Sequence, residues 1–115
     1  MYIPLNFDRP RQMRFDIPAI AALEANLNAP YGGIVVRLQR LSITTICAAI
    51  WAACKHEDPT LTVALTHKKL QKYLDDGGSM RALCDALNLA VVDSAPLKEI
   101  ESPNGPAETG VLAGA

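Results

Sequence analysis

The feature that most constrains the fold is an apolar segment that runs from Ser42 to Cys54. Its large apolar residues recur at steps of three and four, the spacing of one face of an α-helix, and small alanines fill the other side. A helix that is apolar nearly all round is usually buried. The sequence therefore predicts a central helix capped by Ser42. Its apolar residues are Ile43, Ile46, Cys47, Ala48, Ala49, Ile50, Trp51, Ala52, Ala53 and Cys54.

The first sixteen residues have the alternation and the turn residues of a β-hairpin. Strands are predicted over residues 2–7 and 12–15, joined by a turn at residues 8–11. Proline has no backbone N–H, so Pro4 is expected to remove one hydrogen bond of the ladder, and the first strand is expected to be an edge strand or a frayed one. An isolated hairpin is marginal in water, so its apolar side chains are expected to pack on a helix. These are Ile3, Leu5, Met13 and Phe15.

Two short helices are predicted between the hairpin and the central helix. The first begins after Asp16, an N-cap residue, and ends near Asn28. A loop over residues 31–33 leads to the second, which spans residues 33–40. The side chains predicted to face inward are Ile17, Ile20, Leu23 and Leu27 in the first helix, and Ile34, Val35, Leu38 and Leu41 in the second.

Two more helices are predicted after the central one. A linker spans residues 56–65, and within it residues 61–65 fit either a strand or a loop. Thr66 is expected to cap a helix that carries Leu70, Tyr73 and Leu74 and ends at Gly77, where glycine adopts the left-handed conformation. Ser79 is expected to cap the last helix. Its inward stripe is Met80, Leu83, Leu87, Ala90 and Val91.

The chain of 115 residues therefore predicts a mainly α fold: an N-terminal β-hairpin followed by about five short helices in a compact bundle. Residues 1–93 are assigned to a single domain. Pro and Gly recur without hydrophobic period from Ser94 onward, so residues 94–115 are expected to be a flexible tail.

The charge balance, the apolar runs and the cysteine count indicate which partners and which cell compartment the chain is expected to have. The chain has 11 basic and 12 acidic residues and a net charge of −1, whereas nucleic-acid binding depends on an excess of Lys and Arg. We therefore expect no nucleic-acid partner. We expect no signal peptide and no membrane span, because the first eight residues lack a basic segment followed by an apolar run and no apolar run in the chain is long enough to span a membrane. Three Cys without a disulfide spacing fit a reducing compartment, so the sequence predicts a cytoplasmic protein that does not bind membranes.

Cys54-Lys55-His56 is the local sequence that comes nearest to a nucleophilic site, which needs a thiolate beside a histidine. Cys54, however, falls in the last turn of its predicted helix, where the helix dipole disfavours a thiolate. Cys47 and Cys54 lie two turns apart on the apolar face and are interpreted as small core residues. The sequence predicts no catalytic residue.

No metal or cofactor site is predicted either. The Cys and His residues form no Cys-x-x-Cys or His-x-x-x-His pair of the kind that binds zinc. The glycine pairs at residues 32–33 and 77–78 are interpreted as helix boundaries, since neither is followed by the Lys-Ser/Thr of a P-loop. The sequence places no two carboxylates together for acid–base chemistry. Those considered are Asp16, Glu24, Glu57, Asp58, Asp75, Asp76, Asp85 and Asp93.

The order of the predicted elements resembles that of the small tail-assembly chaperones of long-tailed bacteriophages and gene transfer agents. The residues that carry the resemblance are the hairpin leading into the helix of Ile17–Glu24, the Ala-rich central helix, the Thr-capped helix of residues 66–76 and the closing helix. It covers residues 5–93. The resemblance implies a non-enzymatic chaperone of the host cytoplasm that binds the tape-measure protein and helps recruit tail-tube protein. It also implies self-association and a longer, frameshifted form.

Two other functions remain open at this stage. One is a structural head–tail or tail component of a phage particle. The other is a helix-turn-helix DNA-binding regulator formed by residues 66–91, with residues 79–91 as the recognition helix. That helix carries Arg81 against Asp85, and Asp93 follows two residues beyond it, a poor charge balance for contact with phosphates.

Overall fold

The computed structural model describes residues 2–94; Met1 and residues 95–115 lie outside the described part. Within residues 2–94, an N-terminal hairpin and five helices form a compact mainly α fold, which confirms the predicted fold class. Except for Ser94, the predicted tail of residues 94–115 lies outside the described residues. The elements are β1 (Ile3–Asn6), β2 (Pro10–Met13), α1 (Ile17–Leu27), α2 (Tyr31–Gln39), α3 (Ile43–Cys54), α4 (Val63–Asp75) and α5 (Met80–Asp93).

Helix α3 is the centre of the core, as its composition predicts. It contacts β2 and each of the other four helices. The hydroxyl of Ser42 accepts a hydrogen bond from the Thr45 N–H and so caps the helix. Ile43, the first residue of the helix, is exposed at the surface. The fully buried residues include Ile46, Cys47, Ala48, Ala49, Ile50, Ala52, Ala53 and Cys54.

The hairpin packs its apolar face inward, with Leu5, Met13 and Phe15 buried as predicted. The outer edge of β2 is covered by the loop after α3. The N–H of Gln12 donates to the Glu57 carboxylate, and the Gln12 carbonyl lies 2.8 Å from Nε2 of His56. The backbone of β2 thus finds its outer partners in side chains rather than in a third strand.

Both prolines of the hairpin occupy positions that need no ladder hydrogen bond. Since Gln12 directs its N–H and C=O away from β1, its antiparallel partner Pro4 also faces outward. Pro10 has the same orientation, because it lies two residues along the strand from Gln12. The expectation that Pro4 removes a ladder hydrogen bond is therefore wrong. The turn is also shorter than predicted, since β2 begins at Pro10.

Helix α1 begins and ends as predicted: Asp16 accepts the Ala19 N–H, and Asn28 closes the helix in the left-handed conformation. Ile17 was predicted to face inward but is 61% exposed. The other predicted residues do face inward: Ile20 and Leu23 are buried, Leu27 packs partly buried against the core, and Ala19 completes the buried face.

Helix α2 starts at Tyr31, so the predicted loop over residues 31–33 is wrong. Pro30 occupies the N-cap position but has no side chain that accepts a hydrogen bond. The carboxylate of Glu24 takes that role and accepts the Tyr31 N–H at 2.8 Å. A cap supplied from the preceding helix leaves no local sequence signal. It allows Tyr31 to be buried in the first turn.

Helix α4 begins four residues before the predicted start. Thr62, not Thr66, is the N-cap, and its hydroxyl accepts the Leu65 N–H. Thr66 is a buried residue of the helix whose own hydroxyl donates to the Thr62 carbonyl. Residues 63–65 are accordingly the first turn of a helix, neither strand nor loop.

The ends of α4 and α5 follow the prediction. Gly77 has a φ of +91°, and the two hydrogen bonds of a Schellman motif close α4 around it. Ser79 caps α5 by accepting the Ala82 N–H. Leu83, Leu87, Ala90 and Val91 are buried along one stripe of α5.

Candidate functional site

Arg11 is the centre of an ionic cluster that the sequence analysis missed. Its guanidinium side chain is 1% exposed and makes two hydrogen bonds to Asp8, at 2.6 and 2.8 Å, and one to Asp58 at 3.2 Å. Nζ of Lys69 in α4 lies 2.8 Å from Oδ2 of Asp8, an oxygen that also accepts a hydrogen bond from Arg11. We call Asp8, Arg11, Asp58 and Lys69 the Arg11 cluster. It links the hairpin turn to the loop after α3 and to α4.

The charges of the Arg11 cluster stabilise one another. Hydrogen bonding to Arg11, reinforced by Lys69, lowers the pKa of Asp8 well below its usual range. Hydrogen bonds from the Thr60 hydroxyl and from Arg11 lower the pKa of Asp58. Asp8 raises the pKa of Arg11 in turn. Arg9 lies 3.7 Å from Asp58 and Glu57 lies 4.0 Å from Arg11, so three cations face three anions when these neighbours are included. The charges are balanced, and the cluster acts as a clamp between elements.

Cys47 and Cys54 are core residues, as interpreted from the sequence. Cys47 and Cys54 are fully buried. Burial raises the pKa of the Cys54 thiol to about 12, and it raises the pKa of the Cys47 and Cys84 thiols. A thiol with such a pKa carries almost no thiolate at neutral pH, so Cys54 does not have the properties of a nucleophile.

His56, the other half of the candidate nucleophilic site, lines a cleft of about 160 Å³ together with Asp16 and Lys55. This volume is below the usual range for ligand pockets. The polar groups of the cleft are already engaged: His56 with the Gln12 carbonyl and Asp16 with the Ala19 N–H. A second cleft, of about 250 Å³, lies between β1 and α5 beside Tyr73 and has mainly apolar walls.

The glycine pair at residues 77–78 and the carboxylate of Asp76, which were also considered as site residues, have local structural roles. Gly78 packs against the Tyr73 ring so closely that a Cβ there would lie 2.6 Å from it, while the Tyr73 hydroxyl bonds to both backbone groups of Ser79. Asp76 pairs with Lys72 on the surface of α4. Within residues 2–94, no group of three or more His, Cys, Asp or Glu side chains is arranged to hold a metal ion.

The exposed apolar side chains form the more informative feature. One set lies where α2 meets α3: Val36, Leu41 and Ile43 are all exposed beside the exposed Arg37 and Arg40. We call residues 36–43 the α2–α3 corner. Neither arginine forms an ion pair with any residue of the described range 2–94. Leu41 has a φ of +62°, a left-handed backbone conformation that costs free energy for a residue with a Cβ.

A second exposed apolar set lies on α5. Leu89 is 60% exposed and Val92 is 51% exposed; three residues apart, they share one face of the helix. The opposite stripe of α5 is buried against β1 and α3. We call Leu89 and Val92 the outer face of α5.

No protein-family model matches this chain, and neither the curated proteins nor the solved structures include a significant match. Among the described residues, no helix has both the length and the apolar character needed to cross a membrane.

Proposed function

We propose that this chain is a non-enzymatic adaptor that binds other proteins, and specifically a phage tail-assembly chaperone that binds the tape-measure protein and helps recruit tail-tube protein. The observation that carries the proposal is the outer face of α5. Two large aliphatic side chains, Leu89 and Val92, are exposed to solvent there, and the opposite side of the helix is buried in the core. Such side chains offer an amphipathic client helix a surface to bury.

Two further features support the proposal. The order of hairpin and helices over residues 5–93, on which the family resemblance depends, is the order found in the fold. The charged side chains of the Arg11 cluster are engaged with one another, and the Cys54 thiol is buried with a raised pKa. The exposed aliphatic side chains of α5 suit protein binding rather than catalysis.

Co-expression with the tape-measure protein of the same gene cluster tests this proposal. The adaptor should raise the soluble yield of the tape-measure protein and co-purify with it. The double substitution Leu89→Ser and Val92→Ser should weaken retention about tenfold, because two apolar contacts are lost. Ile17→Ser is the matched control, since Ile17 is as exposed as Leu89 but lies on α1. Unchanged solubility and no co-purification would count against the chaperone function.

Composition of purified virions separates the chaperone from a structural component. A chaperone acts before the particle is complete and should be absent from virions by mass spectrometry, whereas a head–tail or tail component should be present in fixed copy number. DNA binding is disfavoured because α5 buries its Leu83–Leu87 stripe and exposes Arg81 beside Asp85. Salt-dependent retention on a DNA column would favour the regulator instead.

A further inference from the structure

The α2–α3 corner presents two cations without an ionic partner in the described part of the chain, together with three exposed aliphatic side chains. An occupant that fits it must carry carboxylates next to an apolar side chain. The chain contains such a segment just beyond the described residues: Glu99-Ile100-Glu101.

The contacts of Ser94 fix the point at which the chain leaves the described fold toward that segment. The buried Ser94 hydroxyl donates to the Val91 carbonyl and lies 3.1 Å from the Tyr31 hydroxyl, which donates to it. Because Tyr31 is the first residue of α2, the chain leaves the described fold beside the N-terminal end of that helix. Its point of departure is therefore fixed on the same helix that carries Arg37 and Arg40.

The reach is sufficient. Arg37 and Arg40 lie six and nine residues along α2 from Tyr31, which corresponds to about 9 and about 14 Å at the helical rise. Glu99 and Glu101 lie five and seven residues beyond Ser94, and an extended chain of that length spans up to about 17 and about 24 Å. The two carboxylates can therefore reach the two guanidinium groups without any change in the described fold.

We propose that the α2–α3 corner is the docking surface for residues 99–101 of the same chain. Glu99 and Glu101 pair with Arg37 and Arg40, and Ile100 covers the exposed aliphatic side chains of the corner. This docking does not depend on the function proposed above.

Disulfide trapping in the full-length protein tests the proposal. Leu41→Cys and Ile100→Cys are introduced together, and the rate of the intramolecular disulfide is followed at low protein concentration by mass spectrometry of peptides. Charge reversal in the tail, Glu99→Lys with Glu101→Lys, should slow trapping about fivefold, as expected for the loss of two exposed ion pairs. These tail substitutions leave residues 2–94 unchanged, so a folding defect does not confuse the result.

The reciprocal reversal is the matched control. Arg37→Glu with Arg40→Glu should slow trapping to the same extent, and combining both reversals should restore the original rate, because the pairs are then swapped. Raising the salt to 1 M should remove the difference between the variants. Equal trapping rates in all four proteins would overturn the proposal. A disulfide that forms only between two chains would also overturn it and would assign the corner to a second copy.

Discussion

At the scale of single residues, the members of the Arg11 cluster differ in how much of each side chain water can reach. The guanidinium is 1% exposed, whereas the side chains of Asp8 and Asp58 are 19% and 20% exposed. Loss of a carboxylate leaves a buried cation with one partner fewer, and that cation cannot be hydrated. Loss of the guanidinium leaves two anions that water can reach. The two ends of the same ion pair therefore have different importance for stability.

We predict that Asp8→Ala lowers the free energy of unfolding by about 2–4 kcal/mol, because it leaves the buried Arg11 charge undercompensated. Arg11→Met, which fills a similar apolar volume, should cost only about 1 kcal/mol. Urea unfolding of both variants measures the difference. If Arg11→Met were the more destabilising of the two, hydration of the released carboxylates would not be the deciding effect.

The cluster also predicts how stability depends on pH. The pKa of Asp8 is lowered in the folded protein, so its ionised form stabilises the fold at pH values above the unfolded pKa of about 3.9. That contribution is lost as the pH falls below this value toward the folded pKa. The unfolding free energy of the wild type should therefore decrease between about pH 5 and about pH 2. Asp8→Asn should show a shallower decrease in the same urea titrations, and an identical slope would contradict the assignment.

The burial of Arg11 was within reach of the sequence, although the prediction missed it. Met13 and Phe15 were assigned to the inward face of the strand, and a period of two places Arg11 on that face too. A basic residue at such a position requires acidic partners, and Asp8 lies three residues away. The roles of Asp58 and Lys69 could not have been anticipated, because Asp58 reaches Arg11 and Lys69 reaches Asp8 only through the packing of the loop after α3 and of α4.

At the scale of elements, the two helix ends at Leu41 and Gly77 make the same turn with different residues. In both, the residue after the C-cap has a positive φ, and two backbone hydrogen bonds close the Schellman motif. Glycine adopts this conformation freely, whereas leucine is strained in it. Leu41 is also 55% exposed, so burial does not explain its presence.

We predict that Leu41→Gly raises the free energy of unfolding by about 0.5–1 kcal/mol through relief of this strain. Gly77→Ala is the reciprocal control. It should lower stability by about 1 kcal/mol, because its Cβ would meet no neighbour within 4 Å and only the backbone conformation is affected. Thermal unfolding of both variants provides the measurement. A destabilised Leu41→Gly protein would show that Leu41 contributes packing that outweighs the strain.

Element boundaries were predictable where the capping residue is local and not where it is remote. Asp16, Ser42 and Ser79 cap the helices that follow them, and each was identified from its position alone. The start of α2 was misplaced because its first N–H is accepted by Glu24, seven residues earlier. The start of α4 was misplaced because Thr62 and Thr66 are both acceptable caps, and only burial of Thr66 inside the helix decides between them.

At the scale of the whole molecule, α3 makes the fold one cooperative unit. The hairpin, α1, α2, α4 and α5 all pack on it, and a two-stranded sheet has little stability of its own. The hairpin should therefore open only when α3 loses its packing. This property follows from the apolar pattern of residues 42–54, which predicted a central helix. The exposed apolar sets on α2, α3 and α5 could not be predicted, because they depend on which faces the other elements leave uncovered.

We predict that Ile50→Ala, which leaves a cavity in the fully buried face of α3, lowers the free energy of unfolding by on the order of 2–5 kcal/mol. Native-state hydrogen exchange should show the same loss at the protected amides of the hairpin as at those of α3, because both open in one global event. Leu89→Ala on the exposed side of α5 should change the free energy of unfolding and the free energy of exchange protection by less than about 0.5 kcal/mol each. If Ile50→Ala left the protection of the hairpin amides unchanged, the hairpin would be stabilised locally rather than through the common core. The local contacts would then be the Arg11 cluster and those of Gln12 with His56 and Glu57.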